Sequence, residues 1–103
     1  MPTPIRYEWD PDKRRRNAAK HRLDFEDAWR VLESPISWDL PTWLVDGEQR
    51  RMAIAFVPEM QAVLALVFVN RDDAVRCISF RHASRGEREK YGEYLQEVGP
   101  RDE

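Results

Sequence analysis

Cysteine, glycine and histidine are scarce in this chain of 103 residues. One cysteine, Cys77, excludes an internal disulfide. Cys77 with His21 and His82, the only histidines, falls short of the usual ligand set of a structural zinc site. Four glycines form no phosphate-cradling loop, and no HExxH, nucleophile-elbow or Walker pattern is present. That argues against a nucleotide-cofactor fold, and no cofactor or metal is expected. No apolar run approaches the roughly 18 residues of a membrane helix. The longest, Ala62–Val69, has eight, the length of a strand. The opening MPTPIRYEWD has no basic segment followed by an apolar one, so neither a signal peptide nor a membrane role is expected and the cytoplasm is the expected compartment. A basic balance is missing too: 17 Lys and Arg stand against 19 Asp and Glu.

What is present suffices for one core. Hydrophobic residues are 42% of the chain, with four Trp, four Phe and three Tyr. That content argues against disorder, and the length fits a single domain over residues 1–103. A domain this small buries only about two-thirds of its unfolded surface, so a partner would add to its stability. The charges are uneven. Lys13 to Arg22 holds six Lys and Arg and no acid, and Arg81 to Lys90 holds four with His82, against Glu87 and Glu89.

Along the chain, Ile5–Trp9 alternates as a short strand or an extended arm. Asp10-Pro11 opens a helix to about Arg22, with Asp10 as cap. It has no large apolar residue, so it must pack through Ala18, Ala19 and arginine stems, or hold a partner. Asp24 caps a second helix whose stripe is Phe25, Ala28, Trp29 and Leu32, ended by Pro35. Ile36–Leu40 reads as a short strand. Trp43–Val45 and Gln49–Val57 read as a hairpin about Asp46-Gly47. Ala62–Val69 reads as a central strand. Ala74–Arg81 is the last strand. Strict alternation puts Val75, Cys77, Ser79 and Arg81 on one face and Arg76, Ile78 and Phe80 on the other. Ser84 and Glu87 form a capping box for a final helix with the stripe Arg88, Tyr91, Leu95 and Val98, stopped by Gly99-Pro100 before a fraying end. Strands grouped between helices give an α+β fold with a mainly antiparallel sheet.

Three constellations can carry chemistry. Lys13, Asn17, Lys20 and His21 share a helix face suited to phosphates, with His21 able to exchange a proton near neutral pH. Arg81, His82 and Arg85 flank a helix N-terminus, where backbone N–H groups favour an anion. Arg88 and Tyr91 can clamp and stack a nucleobase. Each also has a plainer reading, as solvated charge, local ion pairs or core edge.

Taken together, YEWDPDKRRRNAAKHRLDFEDA and ISFRHASRGEREKY resemble the BrnT toxins. The first segment carries Trp9, Asp10, Lys13, Asn17, Lys20, His21, Leu23, Phe25 and Ala28 of the family's pattern. The second carries Ile78, Ser79, Arg81, Ala83, Ser84, Glu87, Arg88 and Tyr91. The likeness runs over about residues 7 to 91, though Pro41–Gly47 follows the pattern only in character, and this chain is more acidic than many such toxins. The resemblance implies a RelE-like twisted sheet with two N-terminal helices and one C-terminal helix. It implies a ribonuclease toxin of a type II toxin–antitoxin pair, neutralised by a BrnA-like antitoxin with a ribbon-helix-helix part, operator DNA being reached only through that antitoxin. Metal-independent cleavage of an RNA substrate by its own 2′-hydroxyl needs a base, an acid and cations. Lys20, His21, Arg81 and Arg85 are the candidate catalytic residues. Lys13, Asn17, His82, Arg88 and Tyr91 are the candidate RNA-binding residues. The alternatives are a non-catalytic module that pairs with an antitoxin and co-represses its operon, and a small RNA-binding accessory protein.

Overall fold

A computed structural model describes residues 4–98. The expected stop at Gly99-Pro100 and the tail after it lie outside the described residues. The strands are β1 (Arg6–Glu8), β2 (Trp38–Val45), β3 (Glu48–Val57), β4 (Ala62–Arg71) and β5 (Ala74–His82). The helices are α1 (Pro11–His21), α2 (Trp29–Leu32) and α3 (Arg85–Val98). The fold is α+β, with a five-stranded sheet in the order β1-β5-β4-β3-β2. Four strands form an antiparallel meander, while β1 pairs parallel with β5, which makes the sheet mixed.

Local chemistry sets the boundaries. Asp10 caps α1 by accepting from the Asp12 N–H, and Pro11 stands where no N–H is needed. Asp46 (φ 51°) and Gly47 (φ 80°) make the left-handed pair that a tight hairpin between β2 and β3 requires. The two expected segments Ile36–Leu40 and Trp43–Val45 fuse into one edge strand through a register shift between Pro41 and Leu44. An edge is where a proline can sit in a sheet. Central β4 is buried on both faces from Leu64 to Val69.

One face of the sheet packs Ala55, Leu64, Leu66 and Phe80 beneath Leu23, Phe25, Ala28 and Val31. The other packs Met52, Ile54, Ala65 and Val67 beneath α3 through Tyr91. Tyr94 stacks on Trp38 with ring centroids 5.4 Å apart.

Four expectations differ from the structure. The second helix is a 3-10 turn, Phe25–Asp27, leading into the single turn of α2. Its buried residues are Phe25, Ala28 and Val31, a period of three, which is the period of a 3-10 helix. Trp29, expected in the core, is 45% exposed, with the Arg30 guanidinium 4.7 Å from its ring centre. Ala18 and Ala19 are exposed. Instead α1 packs through Asn17 and through Arg14, which lies over Trp9 and holds Asp24 at 2.8 Å.

The fourth correction bears on the candidate site. In β5, Ser79 pairs with Val67 but Cys77 pairs with Phe68, so Ile78 is an extra residue. This bulge breaks the alternation. Cys77 and Phe80 both enter the first core, and Ile78 packs against the second. Arg81, opposite Ala65, is thereby turned to the face that α3 covers. Re-aiming a side chain is what a bulge does to a strand.

Candidate functional site

The C-terminal half of α1 packs against β5, whose end leads through Ala83 and Ser84 into the N-terminus of α3. Strand β1 pairs with Ala74–Arg76, and among the described residues no strand lies beside the rest of β5 on that side. There α1 lies against it. Asn17 makes the contact: its Oδ1 accepts from the Phe80 N–H at 2.9 Å, and its Nδ2 donates to the carbonyls of Phe80 at 2.8 Å and Leu23 at 3.0 Å. Asn17 is 7% exposed with both ends of its amide occupied, so it sits beneath the basic face and does not face a phosphate.

Around it is a shallow hollow of about 330 Å³ lined by Lys13, Arg16, Asn17, Lys20, His21 and Ile78. Lys13 and His21 are half-buried; Arg16 and Lys20 are exposed. The His21 pKa lies below its ordinary value of 6.5, first because burial disfavours the imidazolium and then because Lys20, Arg81 and His82 repel it. His21 is therefore neutral at pH 7, within the field of three of the other expected site residues.

Arg81 is held by Glu87 through two bonds, Nη1 to Oε1 at 2.7 Å and Nη2 to Oε2 at 2.9 Å. Glu87 also accepts from the Ser84 N–H at 2.8 Å, while its own N–H donates to the Ser84 hydroxyl, which completes the expected capping box. The Arg81 guanidinium and the Ser84 N–H hold the Glu87 carboxyl down at about 2. His82 is exposed at the strand end. Arg85 is exposed in the first turn of α3 and reaches Glu89 at 3.4 Å, an open pair of little strength.

The expected base clamp does not form. Tyr91 is 2% exposed. Its hydroxyl donates to the Ile36 carbonyl at 2.8 Å and accepts from the Phe56 N–H at 3.2 Å. It ties α3 to the sheet and offers no face to a base. Arg88 is exposed but bends back, Nη1 donating to the Ala83 carbonyl at 2.9 Å.

Two residues escaped the sequence reading. Arg16 lies three positions after Lys13 and four before Lys20, a spacing that already placed it beside them. Glu87 was legible only as a cap; its grip on Arg81 depends on the bulge, which no spacing reveals. Burial pushes the Cys77 thiol up to about 12, so it is no nucleophile near neutral pH. Among the described residues no three His, Cys, Asp or Glu side chains gather into a possible metal site. Nor is any helix among them long and apolar enough to cross a membrane.

A family model described as the ribonuclease toxin BrnT of type II toxin–antitoxin systems matches residues 9–87. No curated protein matches the chain as a relative.

Proposed function

Since the chain belongs to the BrnT family of ribonuclease toxins of type II toxin–antitoxin systems, we propose that it is an endoribonuclease acting at the hollow between α1 and β5, with the nearby end of β5 contributing Arg81 and His82. The neutral His21 imidazole takes the proton of an RNA 2′-hydroxyl, whose oxygen attacks the adjacent phosphorus. Lys20, Arg81 and Arg85 stabilise the charge that builds on the phosphoryl oxygens. His82 or Lys20 gives a proton to the departing 5′-oxygen, leaving a 2′,3′-cyclic phosphate and a 5′-hydroxyl. Lys13, Arg16 and Arg88 hold flanking phosphates. These steps use side-chain groups alone, without a metal. The observation that carries the reading is His21 half-buried in a hollow with Lys13, Arg16 and Lys20, where burial and the neighbouring charges lower its pKa.

A type II toxin works with an antitoxin partner. We propose a BrnA-like, ribbon-helix-helix antitoxin that covers the basic hollow and links it to operator DNA, with the cytoplasm as the site of action. A second reading, a non-catalytic module that pairs with an antitoxin and co-represses, is favoured by one observation: both terminal nitrogens of Arg81 are occupied by Glu87.

The experiment that separates them is cleavage of single-stranded RNA by the purified protein in excess chelator. Turnover should persist there, yield cyclic phosphate ends and fall about 10²–10⁴-fold in His21→Ala. Activity lost in chelator and restored by Mg²⁺ would refute the 2′-hydroxyl mechanism. No turnover under any condition, with an intact antitoxin complex, would favour the module.

A further inference from the structure

We propose that Asn17 is the positioning residue that sets His21 against Arg81, by standing in for the strand that β5 lacks along its outer edge. The inference rests on the ribonuclease reading for its effect on catalysis, but not for the clamp itself.

Beyond Arg76, β5 has no strand neighbour among the described residues on the side of α1. A strand edge enclosed without partners leaves backbone groups unsatisfied, which is costly. The Asn17 side chain is itself a primary amide, a near copy of a peptide group. It takes the N–H and the C=O of one residue, Phe80, as an adjoining strand would. Phe80 is 63 residues away in sequence and immediately precedes Arg81. In α1, Asn17 lies one turn after Lys13 and one turn before His21, on the same face. Two bonds of 2.8 and 2.9 Å therefore fix both the height and the rotation of that face relative to β5. The third bond, to the Leu23 carbonyl, ties down the chain just after α1, where Arg22 turns left-handed at φ 59°. His21 is thus held from the helix before it and from the loop after it. Aspartate has the same shape but cannot serve when ionised: it keeps the acceptor for the Phe80 N–H, loses both donors, and sets an anion against two carbonyls.

The test uses Asn17→Ala and Asn17→Asp in the full chain, with two readouts. An NMR titration follows His21, whose ionisation reports its burial beside Lys20, Arg81 and His82. RNA cleavage gives kcat and KM. Both variants should raise the His21 pKa towards its ordinary value of about 6.5. Both should lower kcat on the order of 10²-fold, since misplacement by about 1 Å has that effect. KM should change less than about threefold, because Lys13, Arg16 and Lys20 remain to hold phosphates. Val69→Ala, a deletion in a valine 1% exposed on β4, is the control for stability alone and should leave the His21 titration and kcat unchanged while folded. Folded Asn17 variants with the original His21 titration and kcat would overturn the proposal, as would the same changes in Val69→Ala. If Asn17→Ala does not fold, the isosteric Asn17→Asp decides. If neither folds, hydrogen exchange at the Phe80 amide of the unaltered chain decides: protection like that of the β4–β5 ladder supports the clamp, and free exchange overturns it. Absence of cleavage by the unaltered protein would sink the ribonuclease reading, while the titration would still judge the clamp.

Discussion

His21 owes its chemistry to its surroundings. Burial against β5 disfavours the imidazolium, and Lys20, Arg81 and His82 add repulsion, so folding shifts the ring towards its neutral form. For a base working with Lys20 as the acid, this means that kcat/KM should rise with pH, bend below about 6.5 and stay level to neutrality; a fall towards neutrality would point to a histidine acid. Glu87 does not disturb that range. Its carboxyl ionises at about 2, so the ion pair with Arg81 contributes stability above about 4.5 that is lost only as the pH falls towards 2. His21 acts on stability in the same direction. Below about 6.5 the unfolded chain takes up its proton more readily, so that contribution holds above this pH and fades under it. The measurement is a pH profile of kcat/KM from about 4.5 to 7.5 for the unaltered protein and His21→Ala. An acid limb that survives the substitution belongs to another group. Spacing brought out His21, Lys20 and Arg81, because each stands in a run of unusual charge. It misplaced Tyr91 and Asn17, because a helical stripe states which residues share a face but not whether that face looks into the protein or out of it. Both carry polar atoms that a core accepts only when bonded, and both find backbone partners.

The segment between α1 and β2 shows where the period of a short element decides its burial. Phe25, Ala28, Trp29 and Leu32 make an α-helical stripe on paper. With so few residues before Pro35, the chain takes a 3-10 turn instead, and Val31 replaces Trp29 in the core. Val31 is fully buried, whereas nearly half of Trp29 faces solvent. Val31→Ala should therefore destabilise by about 2 kcal/mol, and Trp29→Ala by less than about 1 kcal/mol, despite the far larger side chain removed. Urea unfolding of the two variants checks the order; a larger loss at Trp29 would mean that it packs as a regular helix would place it. The same kind of local irregularity controls β5. Its hydrophobic residues announced a strand, as the Asp46-Gly47 pair announced the β2–β3 hairpin. The extra residue at Ile78 had no signal, since Arg-Cys-Ile-Ser-Phe-Arg alternates acceptably without it. Yet the bulge turns Arg81 to Glu87 and Phe80 to Asn17, so the least legible feature of the strand is the one that shapes the candidate site.

Across the whole molecule, the net charge of −2 describes no place on its surface. The turns Asp46-Gly47 and Asp72-Asp73 share one end of the sheet, where Arg71 links to Glu48 at 2.7 Å. Strand β5 starts at that end and carries Arg81 and His82 to the other. Nine residues of strand at about 3.3 Å each put nearly 30 Å between them. The Debye length at physiological salt is about 8 Å, so the acidic turns cannot cancel the field over the hollow. RNA bound there should answer to local charge alone. Contacts from Lys13, Arg16, Lys20 and Arg85 to phosphates would make log affinity for single-stranded RNA fall with log salt at a slope of roughly −2 to −3. Lys20→Glu should weaken binding and flatten the slope by about one contact or more. Asp72→Lys changes the net charge by the same two units in the opposite sense, yet should leave affinity unaltered at physiological salt. Fluorescence titrations at two ionic strengths decide between local field and net charge. An affinity gain in Asp72→Lys as large as the loss in Lys20→Glu would show that overall charge governs binding and that the hollow has no special claim on RNA. The antitoxin provides the second arm. If it covers the same hollow, Lys13→Glu and Lys20→Glu should weaken it in parallel with RNA, and the two should compete. Unchanged antitoxin affinity in both variants would place its docking surface elsewhere.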